Sequence, residues 1–334
     1  MSMTMKRNTN HTYSTVPERE ETVSYLLEKA KDEKRNICEY WKKMRRYYDG
    51  DHDIKLYSQI FAEKAGIPWT PTQSTDGYIH VESLLQPKIP DFEFAPRDKT
   101  DYGKAKQRES IVRFVIDNNS MEFKNSRAER SLNIYGSAAY KVCWDTNVRF
   151  SCDDGDVTVE NVDISRLYCD PSARDVDGCE YIAYLYPMHK NRVKRVFAND
   201  FEARGESFES YFAQRQSADL SFDGDLFSDT EDIVYVCEWW FRQPKDGSCT
   251  ITVCEDGIKR RCEYSWKAGD IALSVLIGGK EIRYIPKYWQ NTSFDTFPFV
   301  IYSRLPSEKS IWGRSELEQI IPLIDAKDRE LAHR

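Results

Sequence analysis

The chain has 334 residues, enough for about two domains of ordinary size, with 40% hydrophobic, 31% charged and 13% aromatic side chains. Its 55 acids against 48 bases leave a formal net charge of −7, which argues against a basic DNA-coating protein or a polybasic membrane binder. The longest apolar stretch, Ile271–Ile277, is far too short to span a bilayer, and the polar start Met1–Tyr13 lacks the apolar core of a secretory signal.

The first 16 residues read as a disordered tail. From Pro17 to Tyr48, Val23, Leu26, Leu27 and Ala30, then Ile37, Trp41, Met44 and Tyr48, recur at three- and four-residue spacing and predict a long amphipathic helix. Pro17 and the acids Glu18, Glu20 and Glu21 suit its start, and Asp49-Gly50 its stop. The basic run Lys42, Lys43, Arg45 and Arg46 reads as a solvated helix end, with a phosphate-facing patch as the alternative. A shorter helix is predicted over Ile54–Ala65, and another over Asp76–Leu85. Asp91-Phe92-Glu93-Phe94 alternates at period two and predicts a short strand. Two further helices follow, Asp101–Asn119 with Ala105, Arg108, Val112, Val115 and Ile116 on one face, and Met121–Tyr135, ended by Gly136.

The pattern then changes to strands: Ala138–Trp144, and Val148–Cys152 with Val157–Val162 about the turn signal Asp153-Asp154-Gly155-Asp156. Those acids lack the spacing and distal glutamate of a calcium loop. Tyr181–Tyr186 reads as a strand and His189–Phe197 as a short helix. Residues 199–232, rich in Ser, Asp and Glu without a sustained period, read as a mobile insertion. Strands return at Ile233–Phe241, Cys249–Cys254 and Lys259–Trp266. Gly278-Gly279 joins Ile271–Ile277 to Glu281–Tyr284 as a hairpin, and Phe299–Arg304 is the last strand.

The final element opens on Ser315-Glu316-Leu317-Glu318, a capping box that starts a helix with Ile320, Ile321 and Ile324 on its apolar face. Pro322 is expected to kink or restart it. The sequence stops at Arg334 with that helix in progress, which leads us to expect the front part of a longer protein. The fold class is α+β: a helical part over 17–135, a β-rich part over 136–312, and the start of a further helix over 313–334.

Catalytic signatures are missing. Gly278-Gly279-Lys280 lacks the upstream glycine and following hydroxyl of a phosphate-binding loop, and no zinc-protease or nucleophile-elbow motif occurs. The 9 cysteines, an odd number, include no closely spaced zinc-binding pair and suit a reducing compartment with free thiols. Pro90-Asp91 followed by Glu122-Phe123-Lys124 matches a loose nuclease pattern, but helical spacing points Glu122 and Lys124 apart. No cofactor and no metal is expected, and the chain is not read as an enzyme. High aromatic content suits contact surfaces, so assembly is plausible.

Six local patterns in order resemble the portal proteins of tailed phages, the head-to-tail connector subunits. They are Arg45-Arg46-Tyr47-Tyr48-Asp49-Gly50-Asp51; Ile89-Pro90-Asp91-Phe92-Glu93-Phe94-Ala95-Pro96 before a long helix; Tyr135-Gly136-Ser137-Ala138-Ala139-Tyr140; Leu167-Tyr168-Cys169-Asp170-Pro171-Ser172-Ala173; Phe297-Pro298-Phe299-Val300; and Gly313-Arg314-Ser315-Glu316-Leu317-Glu318 continuing through Leu323-Ile324-Asp325-Ala326. The resemblance implies the outer wing of a portal subunit, with the last helix leading towards the stem. It implies a homo-oligomeric ring, commonly of twelve subunits, at one capsid vertex of the virion, assembled in the host cytoplasm. Its implied partners are the large terminase, the major capsid and scaffolding proteins, the tail adaptor, and double-stranded DNA that passes for packaging and ejection without tight binding; no membrane is involved. An acidic balance suits such a channel, because each phosphate contact would add drag. Glu316, Glu318 and Arg329 are the candidates for the channel or a subunit seam. Trp239, Trp240 and Phe241 are candidates for core or inter-subunit packing. The alternatives are another virion component, such as a capsid or adaptor protein, and a metal-dependent nuclease.

Overall fold

A computed structural model describes residues 15–51, 64, 66, 75–86, 89, 92–96, 98–150, 153–205, 207–208, 232–255, 258–290 and 294–332. The expected tail up to residue 14, the helix over Ile54–Ala65 apart from position 64, and most of the expected insertion lie outside these residues. The fold is α+β. It divides into two compact units: Met1–Lys34 with Ser165–Ala173 and Asp177–Phe297, and Arg35–Ile164 with Arg174–Val176 and Pro298–Arg334.

The first unit is built on an antiparallel sheet of five strands. These are β3 (Leu167–Cys169), β4 (Tyr181–His189), β5 (Ile233–Arg242), β8 (Ile271–Ile277) and β9 (Lys280–Ile285), in the order β3-β4-β5-β8-β9. Two further strands, β6 (Gly247–Glu255) and β7 (Ile258–Trp266), form a separate hairpin. The β5–β8 register pairs Cys237 with Leu276, Trp239 with Ser274 and Phe241 with Ala272, so these six side chains share a face. Helix α1 (Val16–Asp49) lays Val23, Leu26, Leu27 and Ala30 against that face. β5 is buried on both faces along most of its length, as the centre of a five-stranded sheet must be.

One buried ion pair fixes the start of α1 on this sheet. The Arg19 guanidinium donates two 2.7 Å bonds to the carboxylate of Glu281, whose side chain is 1% exposed, and stacks 3.8 Å over the Tyr284 ring. Ser274 Oγ donates to the same carboxylate at 2.7 Å, and the Glu281 N–H donates to Glu20 at 2.9 Å. Between β4 and β5, α5 (Lys190–Val196) is capped by His189, whose Nδ1 accepts from the Asn191 N–H. Helix α6 (Ala198–Arg204) occupies the first residues that read as insertion. The glycine pair Gly278-Gly279 takes φ of 57° and 80°, which closes the β8–β9 hairpin tightly.

The second unit holds the C-terminal part of α1, α2 (Asp76–Ser83), α3 (Tyr102–Asn118), α4 (Met121–Tyr135) and α7 (Leu317–Ala332). Its larger sheet has the order β10-β1-β2, from β1 (Ser137–Phe150), β2 (Asp153–Val162) and β10 (Phe299–Ser303). β11 (Leu305–Ser307) and β12 (Ser310–Arg314) form a short ribbon. Met44, Tyr48, Val81, Ile134, Leu317 and Ile321 make its buried cluster. The acidic stretch Asp153–Asp156 lies within β2 rather than at the turn: Phe150 pairs with Asp153, and the register shifts between Asp145 and Arg149. Gly155, at φ 117°, makes that irregularity possible because its missing side chain leaves room for the Trp144 indole. The outer edge of β2 is covered rather than open. Asn119 accepts from the Val159 N–H and donates to the Val157 carbonyl, each at 2.9 Å, and Lys124 Nζ donates to the Val159 carbonyl at 2.5 Å.

One expectation fails here. Residues 92–96 form no strand. Alternation alone does not make one without a neighbour to pair with. Helix α3 exists as expected: on the expected face Ala105 is buried, Val115 and Ile116 are half-buried and Val112 is 36% exposed, while Ile111 (62%) and Phe114 (52%) lie off that face in water.

Candidate functional site

The start of α7 gathers more long-range polar contacts than any single capping motif needs. Ser315 is the cap that the sequence marks. Its Oγ accepts from the Leu317 N–H at 3.1 Å and donates to the Asn133 carbonyl at 3.0 Å, and the side chain is buried. The reciprocal half of the capping box does not form. The Ser315 N–H donates to the Tyr40 hydroxyl at 2.9 Å, which leaves Glu318 free to face elsewhere. Its carboxylate accepts from Tyr40 OH at 2.9 Å and from both Arg314 Nε (3.0 Å) and Nη2 (2.5 Å). A tyrosine from α1 has taken the role that the helix's own glutamate plays in an isolated peptide.

Glu316 is held in the same region. Its carboxylate pairs with Arg304 at 3.2 Å, its N–H donates to the Asn133 carbonyl at 3.2 Å, and Arg304 also donates to the Asn133 side chain. Beneath these contacts the backbones touch. Gly136 at φ 84° lies against the backbone of Arg314, Gly313 lies against the Gly136 carbonyl, and the Gly313 N–H donates to Ser137 Oγ at 2.8 Å. Further along α7, Asp325 accepts from Tyr47 OH at 2.9 Å and Lys327 pairs with Asp76 at 2.5 Å. The helix passes through Pro322 as one continuous element, with that residue exposed. The side chain of Arg329 lies outside the described residues.

Electrostatics agree with a fastening role. Arg314, followed by Tyr40, holds the Glu318 carboxyl below its ordinary range against the opposing effect of burial. Burial, helped by Glu318, pushes Tyr40 up to about 12, so it stays a neutral donor near pH 7. A depressed folded value stabilises fully above the unfolded value of about 4.3 and is lost as pH falls through the folded one. Glu318→Gln should therefore cost about 1 kcal/mol or less near neutrality, since the pair is partly exposed. That difference should shrink towards zero in urea melts run at about pH 3. An undiminished difference would mean that charge on Glu318 does not matter.

The aromatic triplet lies in the first unit. Trp239, Trp240 and Phe241 are each 1% exposed or less. Trp239 stacks on Tyr181 with centroids 4.6 Å apart, and Trp240 meets Tyr288 edge-on at 4.6 Å while its indole N–H donates to Glu238 at 3.2 Å. Sequence reasoning found the Ser315 cap but missed Tyr40, Asn133 and Arg304. Helical spacing places Tyr40 beside Trp41 and Met44, but nothing local marks its hydroxyl as a partner of a segment 275 residues away.

The surface holds a different feature. Ile111, Phe114 and Tyr102 (58%) on α3, with Phe123 (77%) on α4, are large apolar side chains left in water. Of the nuclease-like residues, Lys124 is committed to the Val159 carbonyl and to Asn119, and Asp91 lies outside the described residues. Among the described residues no cluster of three His, Cys, Asp or Glu is placed to hold a metal, and no helix is long and apolar enough to cross a membrane.

The family model of the phage P22-like portal protein matches residues 81–286, more than half of the chain. The chain belongs to that family. No curated protein matches it.

Proposed function

We propose that this member of the phage P22-like portal family works as one subunit of a ring at a single capsid vertex, through which double-stranded DNA is packaged and later ejected. The family match carries the reading. On it, the chain supplies wing-like body and the root of a stem-directed helix, with a helical part over 17–135, a β-rich part over 136–312 and α7 beyond. The terminase, the capsid and scaffolding proteins and the tail adaptor dock on the assembled ring, and the acidic balance keeps DNA from adhering to it. The role is structural: work on DNA is done by the motor that docks, not by this chain.

The contacts at the start of α7 support a mechanical reading of Glu316 and Glu318. Both carboxylates are engaged by arginines of their own chain, so we assign them to setting the direction of α7 near the subunit seam rather than to touching DNA. Arg329 is assigned to the same seam by its place on the helix. A neighbouring copy is the occupant we assign to the exposed apolar side chains of α3 and α4. Burying the exposed half of two such side chains contributes about 1–2 kcal/mol each, enough to bias assembly.

Electron microscopy and mass measurement of the protein as the phage makes it test this. Closed rings of about twelve copies with a central hole are expected. Ile111→Lys with Phe114→Lys should reduce ring yield at least about tenfold while the circular dichroism of the subunit is kept. Open shells of pentamers and hexamers would favour a capsid protein instead. Metal-dependent DNA cleavage lost in Glu122→Ala would favour the nuclease.

A further inference from the structure

Cys169 ends β3, and Cys179 lies two residues before β4 begins. Both are buried free thiols, and their side chains are hydrogen-bonded to one another. They are not cross-strand neighbours, since the register pairs Cys169 with Ile182. The base of the intervening loop brings them together. The Asp170 N–H donates to the Tyr181 carbonyl at 3.2 Å. The Asp170 carboxylate accepts from the Ser172 N–H (2.9 Å), the Ser172 hydroxyl (2.7 Å) and the Glu180 N–H (3.4 Å). From the other side, Arg242 Nε donates to the Cys179 carbonyl and Nη2 to the Asp177 carbonyl, each at 3.1 Å. Both cysteine backbones are thus held in place while Pro171, Ser172, Asp177 and Gly178 stand in solvent.

We propose that Cys169 and Cys179 are a latent disulfide that closes the Asp170–Gly178 loop when the protein meets an oxidising medium containing small-molecule disulfides. One protein thiolate attacks the small disulfide, forming a mixed disulfide and expelling one small thiolate. The second protein thiolate then attacks the protein sulfur of that bond and expels the other. The two protons leave to solvent and return on the expelled thiolates, so the protein loses two hydrogens and two small thiols are produced. The hydrogen bond to Cys179, followed by burial, pushes the Cys169 thiol up, which keeps thiolate scarce and the pair reduced in a reducing interior. Opening of the exposed loop admits the oxidant.

The native protein is exposed to excess oxidised glutathione at about pH 8, a value near the ordinary thiol range, then unfolded, alkylated and digested with trypsin. Cleavage after Arg166, Arg174 and Lys190 places the two cysteines in separate peptides. The expected product is those two peptides joined by a dithiothreitol-sensitive bond, two hydrogens lighter than the pair, with neither cysteine alkylated. The oxidised protein should also melt about 5 °C or more above the reduced one, and Cys169→Ser should lose that gain. Recovery of both cysteines alkylated or glutathionylated after prolonged exposure, or joined to other cysteines instead, overturns the proposal.

Discussion

Arg19→Ala should destabilise the sheet unit by about 3–5 kcal/mol, because it strands the Glu281 carboxylate, 1% exposed, without its bidentate partner. Ser274 alone cannot replace two charge-assisted bonds, and Arg204, at 3.8 Å, is a distant substitute. The pair also stacks on Tyr284, so packing is lost with charge. Urea unfolding followed by tryptophan fluorescence reads the effect, since Trp239 and Trp240 sit in that unit. The double variant Arg19→Met with Glu281→Leu should recover most of the loss, because an apolar pair needs no desolvation of charge. If Arg19→Ala costs less than about 1 kcal/mol, the size of an exposed pair, the buried bridge does not anchor α1.

Gly136→Ala is expected to cost about 2–5 kcal/mol, from left-handed backbone strain and from collision with the next chain segment. At φ 84° any β-carbon would press into the backbone of Arg314, immediately before the Ser315 cap, and backbone cannot swing aside as a side chain can. Gly205 supplies the control. It has φ 71° with nothing within 4 Å of a β-carbon, so Gly205→Ala should show only the strain, about 1–2 kcal/mol. Thermal melts of the two variants decide the matter. Equal losses would mean that the Gly136–Arg314 approach does not hold the root of α7.

Much of the element order was legible because periodicity is local. The three- and four-residue spacing from Val23 to Tyr48 reports one buried face, and α1 spans Val16–Asp49. The density of apolar residues in Ile233–Phe241 reports burial on both faces, and β5 is the central strand. Gly278-Gly279 dictates its hairpin by tolerance of positive φ. Where the expectation slipped, the surroundings of the segment decided. Asp153–Asp156 reads as a turn until Trp144 is seen to need the space over Gly155. Asp91–Phe94 alternates like a strand, yet residues 92–96 have no ladder.

The sequence by itself determined the α+β class, the Ser315 cap, the absence of the familiar catalytic signatures and the portal resemblance, since each depends on residues close together along the chain. The tertiary structure alone decided that Tyr40 answers Ser315 and Glu318, that Arg19 meets Glu281 and that Cys169 faces Cys179. It also decided that Ile111 and Phe114 of α3 stay in water. Those pairings depend on which distant segments the fold brings within hydrogen-bonding or van der Waals reach, and neither periodicity nor spacing encodes that.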